Sequence, residues 1–221
     1  MVRLKTDSSE FAVHKSVLTQ GSEYFDKCLN GDLKEAREMV ITLEGIRDEP
    51  LRVYIQTCYA NSFTSGRDLR IEPSDDRSFY SISELIALWQ LCDRFMHQGL
   101  KKMTELAIKR TITTMGRALA EPQPGYIQLF ADGFLLLRAD PRVGGEPKWE
   151  YGVRVARETL SAYLINVFCK YCPSLAWAGT VKTLPPEFVA EVSARWHLEI
   201  MRWRRGAIER HGKGMDVDEV E

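Results

Sequence analysis

Two short segments at the start of the chain have the alternating pattern of β-strands. Val2 to Thr6 and Glu10 to His14 flank the polar stretch Asp7-Ser8-Ser9, which predicts a β-hairpin. A third alternating segment runs from Met39 to Leu43. So few short strands cannot enclose a core of their own, and helices must cover the sheet. The sequence therefore predicts an α+β fold that is mainly α-helical.

Helical segments follow the hairpin. Lys15 to Gln20 predicts a short helix, and Ser22 is placed to cap a second that ends at Asn30-Gly31. Asp48 is placed to cap a longer helix, and apolar residues from Leu51 to Tyr59 recur along it at helical spacing. Ser83 is expected to start a helix that runs to Gly99, and Leu100 to Thr114 predicts another.

The second half of the chain predicts helices only. Two long apolar stripes, Val153 to Tyr171 and Val189 to Ala207, are each too apolar to stand alone in water. We expect them to pack on each other and on Phe134 to Leu137. Helix-breaking stretches at Glu121 to Gly125 and at Asp140 to Pro147 interrupt the pattern.

Four regions are predicted from these breaks. Residues 1–115 form the α+β domain, residues 116–125 a linker, residues 126–212 an all-α region and residues 213–221 an acidic tail too polar to fold. Within the first domain, Asn61 to Ser81 is polar and carries Gly66 and Pro73, which predicts a long loop.

Charge and composition argue against several classes of function. Thirty basic and 31 acidic side chains leave a net charge of −1, which gives no long-range attraction to nucleic acid or to anionic membranes. No apolar run approaches the roughly 20 residues that cross a bilayer, and the N-terminus lacks the pattern of a signal peptide. We expect an intracellular protein, in the cytoplasm or the nucleus, whose five cysteines are reduced.

Three local patterns are candidates for a metal site, a nucleic-acid-binding patch or a catalytic residue. Cys169 and Cys172 form a CxxC, but the downstream histidines fit no zinc pattern, so buried thiols are favoured over a metal site. Trp203 and the arginines around it resemble a nucleic-acid patch, although the tryptophan belongs to the apolar stripe. His14-Lys15 has no nucleophile pattern beside it. We predict no enzyme activity, no cofactor and no metal.

Spaced motifs in the first half resemble those of the BTB/POZ domain, a scaffold for protein association. The resemblance covers about residues 2 to 115. It is carried by Phe11 to Leu18, Ser22, Tyr24-Phe25, Met39 to Leu43, Tyr59 and Leu91 to Phe95. It implies a small sheet edged by helices, followed here by an all-α C-terminal region.

The resemblance also implies roles for particular residues. His14-Lys15 is similar to the family's strand-to-helix joint, in which the histidine is packed and hydrogen-bonded and the lysine stem covers the first helix. BTB domains that bind cullin scaffolds of RING-type ubiquitin ligases carry an apolar residue, any residue and a glutamate before the third strand. Leu33-Lys34-Glu35 occupies that place, and Tyr59 is a further candidate for the same surface, unless it is a core aromatic.

Two alternatives follow for the partner. Either the chain is a cullin adaptor, or it is a BTB-type regulator that associates with other proteins without a ubiquitin ligase, with Asp32 to Glu38 a solvated loop. The chain begins almost at the hairpin, so a strand-exchanged homodimer is not expected, and other self-association stays open. No kelch repeat or MATH-like region is visible, and the architecture resembles BTB proteins of filamentous fungi.

Overall fold

The computed structural model describes residues 1–62, 80–119, 125–138 and 150–212. The chain divides into two compact units, the first built on Met1–Ile112 and the second on Thr113–Ala139 and the residues from Arg157 onward. Most of the predicted loop at Asn61 to Ser81, the break at Asp140 to Pro147 and the acidic tail lie outside the described residues.

Within the described residues, the sheet of the first unit has three strands. They are β1 (Val2–Lys5), β2 (Glu10–Val13) and β3 (Val40–Thr42), in the order β2-β1-β3. β1 pairs antiparallel with β2 and parallel with β3, with Leu4 opposite Phe11 and beside Ile41. Leu4 and Ile41 are buried, whereas Arg3 is exposed, because alternate residues of a strand point to opposite faces. The predicted hairpin and the predicted α+β class are confirmed.

Among the described residues, six helices accompany this sheet, and the last of them continues past Ile112 into the second unit. They are α1 (Lys15–Thr19), α2 (Glu23–Asn30), α3 (Lys34–Glu38), α4 (Asp48–Ser62), α5 (Ile82–Arg94) and α6 (Gln98–Ala118). Ser22 caps α2 as predicted, since its hydroxyl accepts a hydrogen bond from the Phe25 amide at 3.3 Å. The same hydroxyl donates to the Phe95 carbonyl at 2.6 Å, which ties α2 to the end of α5.

Asp48 has a different role from the predicted cap. Its carboxylate accepts hydrogen bonds from the hydroxyls of Thr6, at 2.6 Å, Ser8, at 2.9 Å, and Ser9. These bonds, that of Ser9 first, hold the pKa of Asp48 below its usual value. The first residue of α4 is therefore bound to the turn of the hairpin.

The start of α5 also differs from the prediction. Ser81, rather than Ser83, is the N-cap, and it forms a capping box with Glu84. The aromatic core behind this helix contains Phe25, Tyr54 and Phe95, with the rings of Phe25 and Phe95 4.7 Å apart between centroids. α6 continues to Ala118, into the first residues of the predicted linker at 116–125; residues 120–124 lie outside the described part.

The second unit is helical throughout its described residues. It contains α7 (Tyr126–Arg138), α8 (Glu150–Tyr171), α9 (Ser174–Thr180), a 3₁₀ turn at Val181–Thr183 and α10 (Pro186–Gly212). Phe168 of α8 lies 5.4 Å from Phe130 and 5.1 Å from Phe188, centroid to centroid, and Phe134 lies 5.6 Å from Phe188. The helices that carry the two predicted stripes thus pack on each other and on α7, through an aromatic cluster whose Phe130, Phe168 and Phe188 were not among the predicted stripe residues.

The predicted stripe of α10 is wrong at its distal end. Phe188 and Val192 are fully buried, but Ile200 is 52% exposed. The side chains of Val153, Ala156, Trp203 and Ala207, which were also placed in the two stripes, lie outside the described residues. Among the described residues, no helix is long and apolar enough to cross a membrane.

Candidate protein-interaction site

Leu33 stands at the N-terminus of α3 with its side chain 51% exposed. The sequence predicted a loop here, but Lys34–Glu38 form a helix because all five residues suit one and the Lys34 ammonium lies 3.6 Å from the Glu38 carboxylate. Leu33 carries no side-chain acceptor and makes no capping hydrogen bond. An apolar side chain therefore projects at a helix end, where polar residues are usual.

Glu35 is half-buried, on the side of α3 that faces α2. It lies close enough to Tyr24 and Cys28 to act on both electrostatically. Burial and the neighbouring Cys28 raise the pKa of Tyr24 to about 12, and the Glu35 carboxylate contributes a smaller increase. Burial also raises the pKa of Cys28, with Glu35 adding to it. Glu35 thus acts electrostatically on two residues of α2, while Leu33 is exposed.

Tyr59, on α4, is half-buried and is joined to His14 at the start of α1. Its hydroxyl accepts a hydrogen bond from the His14 amide at 3.0 Å and lies 2.8 Å from His14 Nδ1. The rings meet edge to face with centroids 5.9 Å apart. His14 is hydrogen-bonded as the family resemblance implied, but it is exposed rather than packed.

Lys15 ties the first two helices together. Its ammonium group donates to the Leu29 carbonyl, at the C-terminal end of α2, at 2.8 Å, which offsets an otherwise unpaired terminal acceptor. Four residues later the chain reaches Leu33. The His14-Lys15 pair is therefore a structural joint next to the segment that carries the candidate site.

The candidate residues fall into two groups. Leu33 and Glu35 lie on the α3 segment against α2, whereas the hydroxyl of Tyr59 bonds with His14. The sequence analysis did not identify Tyr24 and Cys28 as neighbours of Glu35. Their separation by four residues on one face of α2 was the available signal.

The CxxC pair lies at the C-terminal end of α8. Cys169 and Cys172 are buried, and burial raises their pKa values to about 12 and about 11, so both thiols stay protonated. In the described parts of the chain, no three His, Cys, Asp or Glu side chains are grouped to hold an ion.

Comparison with known proteins bears on the first unit. The family model of the BTB/POZ domain matches residues 2–111. Kelch-like protein 26 of Danio rerio is 28% identical over 113 residues, and Kelch-like protein 26 of Mus musculus is 29% identical over 113 residues; the aligned part is 51% of this chain and 18% of each relative. Kelch-like protein 24 of Homo sapiens is 27% identical over 111 residues, 49% of this chain and 18% of the relative.

The chain thus spans about a fifth of the length of these relatives. The matched residues coincide with the sheet and the helices of the first unit, including the hairpin, the His14-Lys15 joint and α3. Residues 2–111 of this chain therefore form a BTB/POZ domain.

Proposed function

We propose that the chain is a protein-interaction module and that its BTB/POZ domain binds a cullin scaffold of a RING-type ubiquitin ligase, as a substrate adaptor. Leu33 is the inserted apolar residue, Glu35 accepts hydrogen bonds at the edge of the contact, and the partner also reaches Tyr59, whose hydroxyl bonds with His14 and not with the α3 segment. The motif Leu33-Lys34-Glu35 matches that of cullin-binding BTB domains in order and in place.

The exposure of Leu33 is the observation that carries this proposal. Leu33 is 51% exposed at a helix end, so its burial by a partner would stabilise the complex. A few buried side chains of this kind usually contribute most of the binding free energy of an interface. The hydrogen bond from Lys15 to the Leu29 carbonyl fixes the end of α2, four residues before Leu33.

The alternative is a BTB-type regulator that associates with other proteins without a ligase. The half-buried position of Glu35 favours it, because a half-buried carboxylate is less open to a partner than the exposed Leu33 is. The two functions differ in whether the cullin binds.

A pull-down separates them. The N-terminal region of a cullin is immobilised and tested with wild-type protein and with Leu33→Asp and Leu106→Asp variants. Leu106 is 48% exposed on α6, so its variant controls for adding a charge at an equally exposed leucine. We expect wild-type and Leu106→Asp protein to be retained and Leu33→Asp protein to be lost, with unchanged circular dichroism. Equal retention of all three, or of none, removes the adaptor function and leaves the regulator.

We also propose the extents of the four regions of the chain and its location in the cell. The BTB/POZ region extends over residues 1–115, with a linker at 116–125, a helical region at 126–212 and an acidic tail at 213–221. The location is intracellular, and the helical second unit without a visible repeat is the basis of the likeness to BTB proteins of filamentous fungi.

A further inference from the structure

β2 is an edge strand, because the strand order of the sheet is β2-β1-β3. The backbone N–H and C=O groups of one strand residue point to the same side of the strand, and the side alternates from residue to residue. In β1, the residues before and after Leu4 hydrogen-bond with residues that flank β3, which leaves Leu4 to bond with Phe11 of β2. Glu10 and Ala12, the two neighbours of Phe11, therefore direct their backbone groups away from the sheet.

The open part of this edge is bounded on both sides. At one end, the Ser8 amide donates to a hydroxyl of the hairpin turn at 3.4 Å, and at the other the His14 amide donates to the Tyr59 hydroxyl at 3.0 Å. Between them, the backbone N–H and C=O groups of Glu10 and Ala12 make no hydrogen bond within the described residues. Another extended segment can pair with all four groups at once, because they have the spacing of a strand.

The side chains at this edge suit a second β2 strand in antiparallel orientation. With Phe11 on a two-fold axis, Phe11 lies opposite Phe11 of the second copy, and each Ala12 lies opposite Glu10 of the other copy. The backbone groups of these Ala12–Glu10 pairs then form about four hydrogen bonds. Phe11 is half-buried, with the Arg52 guanidinium 5.6 Å from its ring centroid, and two such rings on neighbouring strands attract each other.

Charge favours the same register. The Glu10 carboxylate is exposed and lies 3.5 Å from a side-chain nitrogen of Arg3 and of Lys5. Arg3 is the partner of Ala12 in the sheet, so Arg3, Ala12 and Glu10 of the second copy stand in one row across the joined sheet. Because the alanine between them is small, the guanidinium can extend over it towards that carboxylate. Neither kind of directly opposed pair brings like charges together.

We propose that two copies of this chain associate through β2, which pairs antiparallel with β2 of the second copy and joins the two sheets into one. The match of Phe11 with itself and the row from Arg3 to Glu10 favour a second copy over an unrelated extended segment, which would supply neither. The contact uses few residues of each copy, so the dimer is weak and depends on protein concentration. Leu33 takes no part in it, and the contact is therefore separate from the proposed cullin site.

Sedimentation equilibrium of the full chain, at about 1 to 500 μM, tests this proposal. We expect a monomer–dimer equilibrium with a dissociation constant of about 10 to 100 μM. Ala12→Pro removes an outward-facing N–H without breaking a bond to β1 and should weaken the dimer about tenfold or more. Thr42→Pro makes the same change at the other edge of the sheet, since the Thr42 amide also points away from β1, and should leave the dimer unchanged.

Two charge variants give a result that altered folding cannot imitate. A substitution at position 12 faces Glu10 of the other copy, twice in the dimer. Ala12→Lys should therefore strengthen the dimer about threefold or more, and Ala12→Glu should weaken it about threefold to tenfold. In the monomer the order is reversed, because position 12 lies beside Arg3. Thermal unfolding at about 1 μM, where the monomer dominates, should show Ala12→Glu as the more stable of the two.

Any of four results would overturn the proposal. The first is a mass that stays that of the monomer up to about 500 μM. The second is an Ala12→Pro protein that keeps the wild-type circular dichroism and dimerises as the wild type does. The third is a pair of charge variants that shift the dissociation constant in the same direction. The fourth is a dimer that Thr42→Pro or Leu33→Asp abolishes, because the contact then lies at β3 or α3.

Discussion

The Nδ1 atom of His97 lies 3.1 Å from the hydroxyl oxygen of Tyr54, beneath the turn that joins α1 to α2. The Tyr54 ring packs on Phe95 with centroids 5.0 Å apart. Burial lowers the pKa of His97 to about 4, so the imidazole is neutral at pH 7. The BTB/POZ domain thus contains a histidine that is held uncharged by its surroundings.

The free energy of unfolding should depend on pH through His97. In the unfolded chain the pKa of a histidine is about 6.5, whereas in the folded protein burial lowers the pKa of His97 to about 4. Between these two pH values, the unfolded state therefore binds one proton more than the folded state does. Stability is therefore complete above about pH 6.5 and falls towards pH 4, by at most about 3 kcal/mol from this group. Urea unfolding of wild-type and His97→Gln protein at several pH values measures it.

The His97→Gln variant serves as the control for other titrating groups. Asp48 also has a lowered pKa, and its contribution likewise declines as pH falls, but in both proteins alike. The wild type should lose more stability than the variant between about pH 6.5 and pH 4. Parallel pH profiles would refute the assignment.

Replacing Gly21 should destabilise the domain more than replacing Gly45. Gly21 has φ +88°, and a Cβ there would lie 2.7 Å from His97 Nε2, whereas Gly45 has φ +67° with open space around it. We expect Gly45→Ala to cost about 1 kcal/mol, from the left-handed backbone alone. Gly21→Ala should cost about 1 to 3 kcal/mol more, since His97 must also move. Chemical denaturation measures the free energy of unfolding of both variants. An equal loss in the two variants would contradict the close approach of Gly21 to His97.

A second pair of glycines tests the packing of the helical unit. A Cβ at Gly116 would lie 2.4 Å from Val167 Cγ1 and 3.0 Å from Tyr171 Cδ2, whereas one at Gly179 meets nothing within 4 Å. Gly116→Ala should therefore lower the free energy of unfolding by about 1 to 3 kcal/mol. Gly179→Ala, within α9, should raise it by about 0.5 to 1 kcal/mol. Thermal unfolding measures the change in stability of each variant. If Gly116→Ala stabilised the protein, the last turns of α6 and α8 would not be in close contact.

Local patterns in the sequence were sufficient to predict the hairpin, the Ser22 cap and the helical character of the second unit. Each depends on residues close in sequence or on a stripe of regular period. The sequence analysis predicted a loop where α3 lies, because Lys34–Glu38 are charged or small and form no apolar stripe. Each of these residue types nevertheless favours a helix. The exposed Ile200 was missed because periodicity shows which face of a helix is apolar, not whether a partner covers it.

Long-range contacts account for the other differences. Asp48 could have capped its own helix, but the hydroxyls of Thr6, Ser8 and Ser9 reach its carboxylate from the hairpin turn, some 40 residues away in sequence. In the candidate site, Leu33 and Glu35 were predicted together from a short motif, but Leu33 is exposed whereas Glu35 is half-buried, a difference that the motif alone does not contain. Side-chain partners of this kind leave no local pattern.

The dissociation constant of the cullin N-terminal region, measured by isothermal titration calorimetry with wild-type, Leu33→Asp and Leu106→Asp protein, tests the central proposal most directly. A carboxylate at position 33 would enter an apolar pocket of the partner at a cost of about 2 kcal/mol or more, and the affinity should fall about thirtyfold. The Leu106→Asp protein should bind as the wild type does. An equal affinity of all three proteins, or no binding by the wild type, would contradict the assignment of Leu33 as the cullin contact.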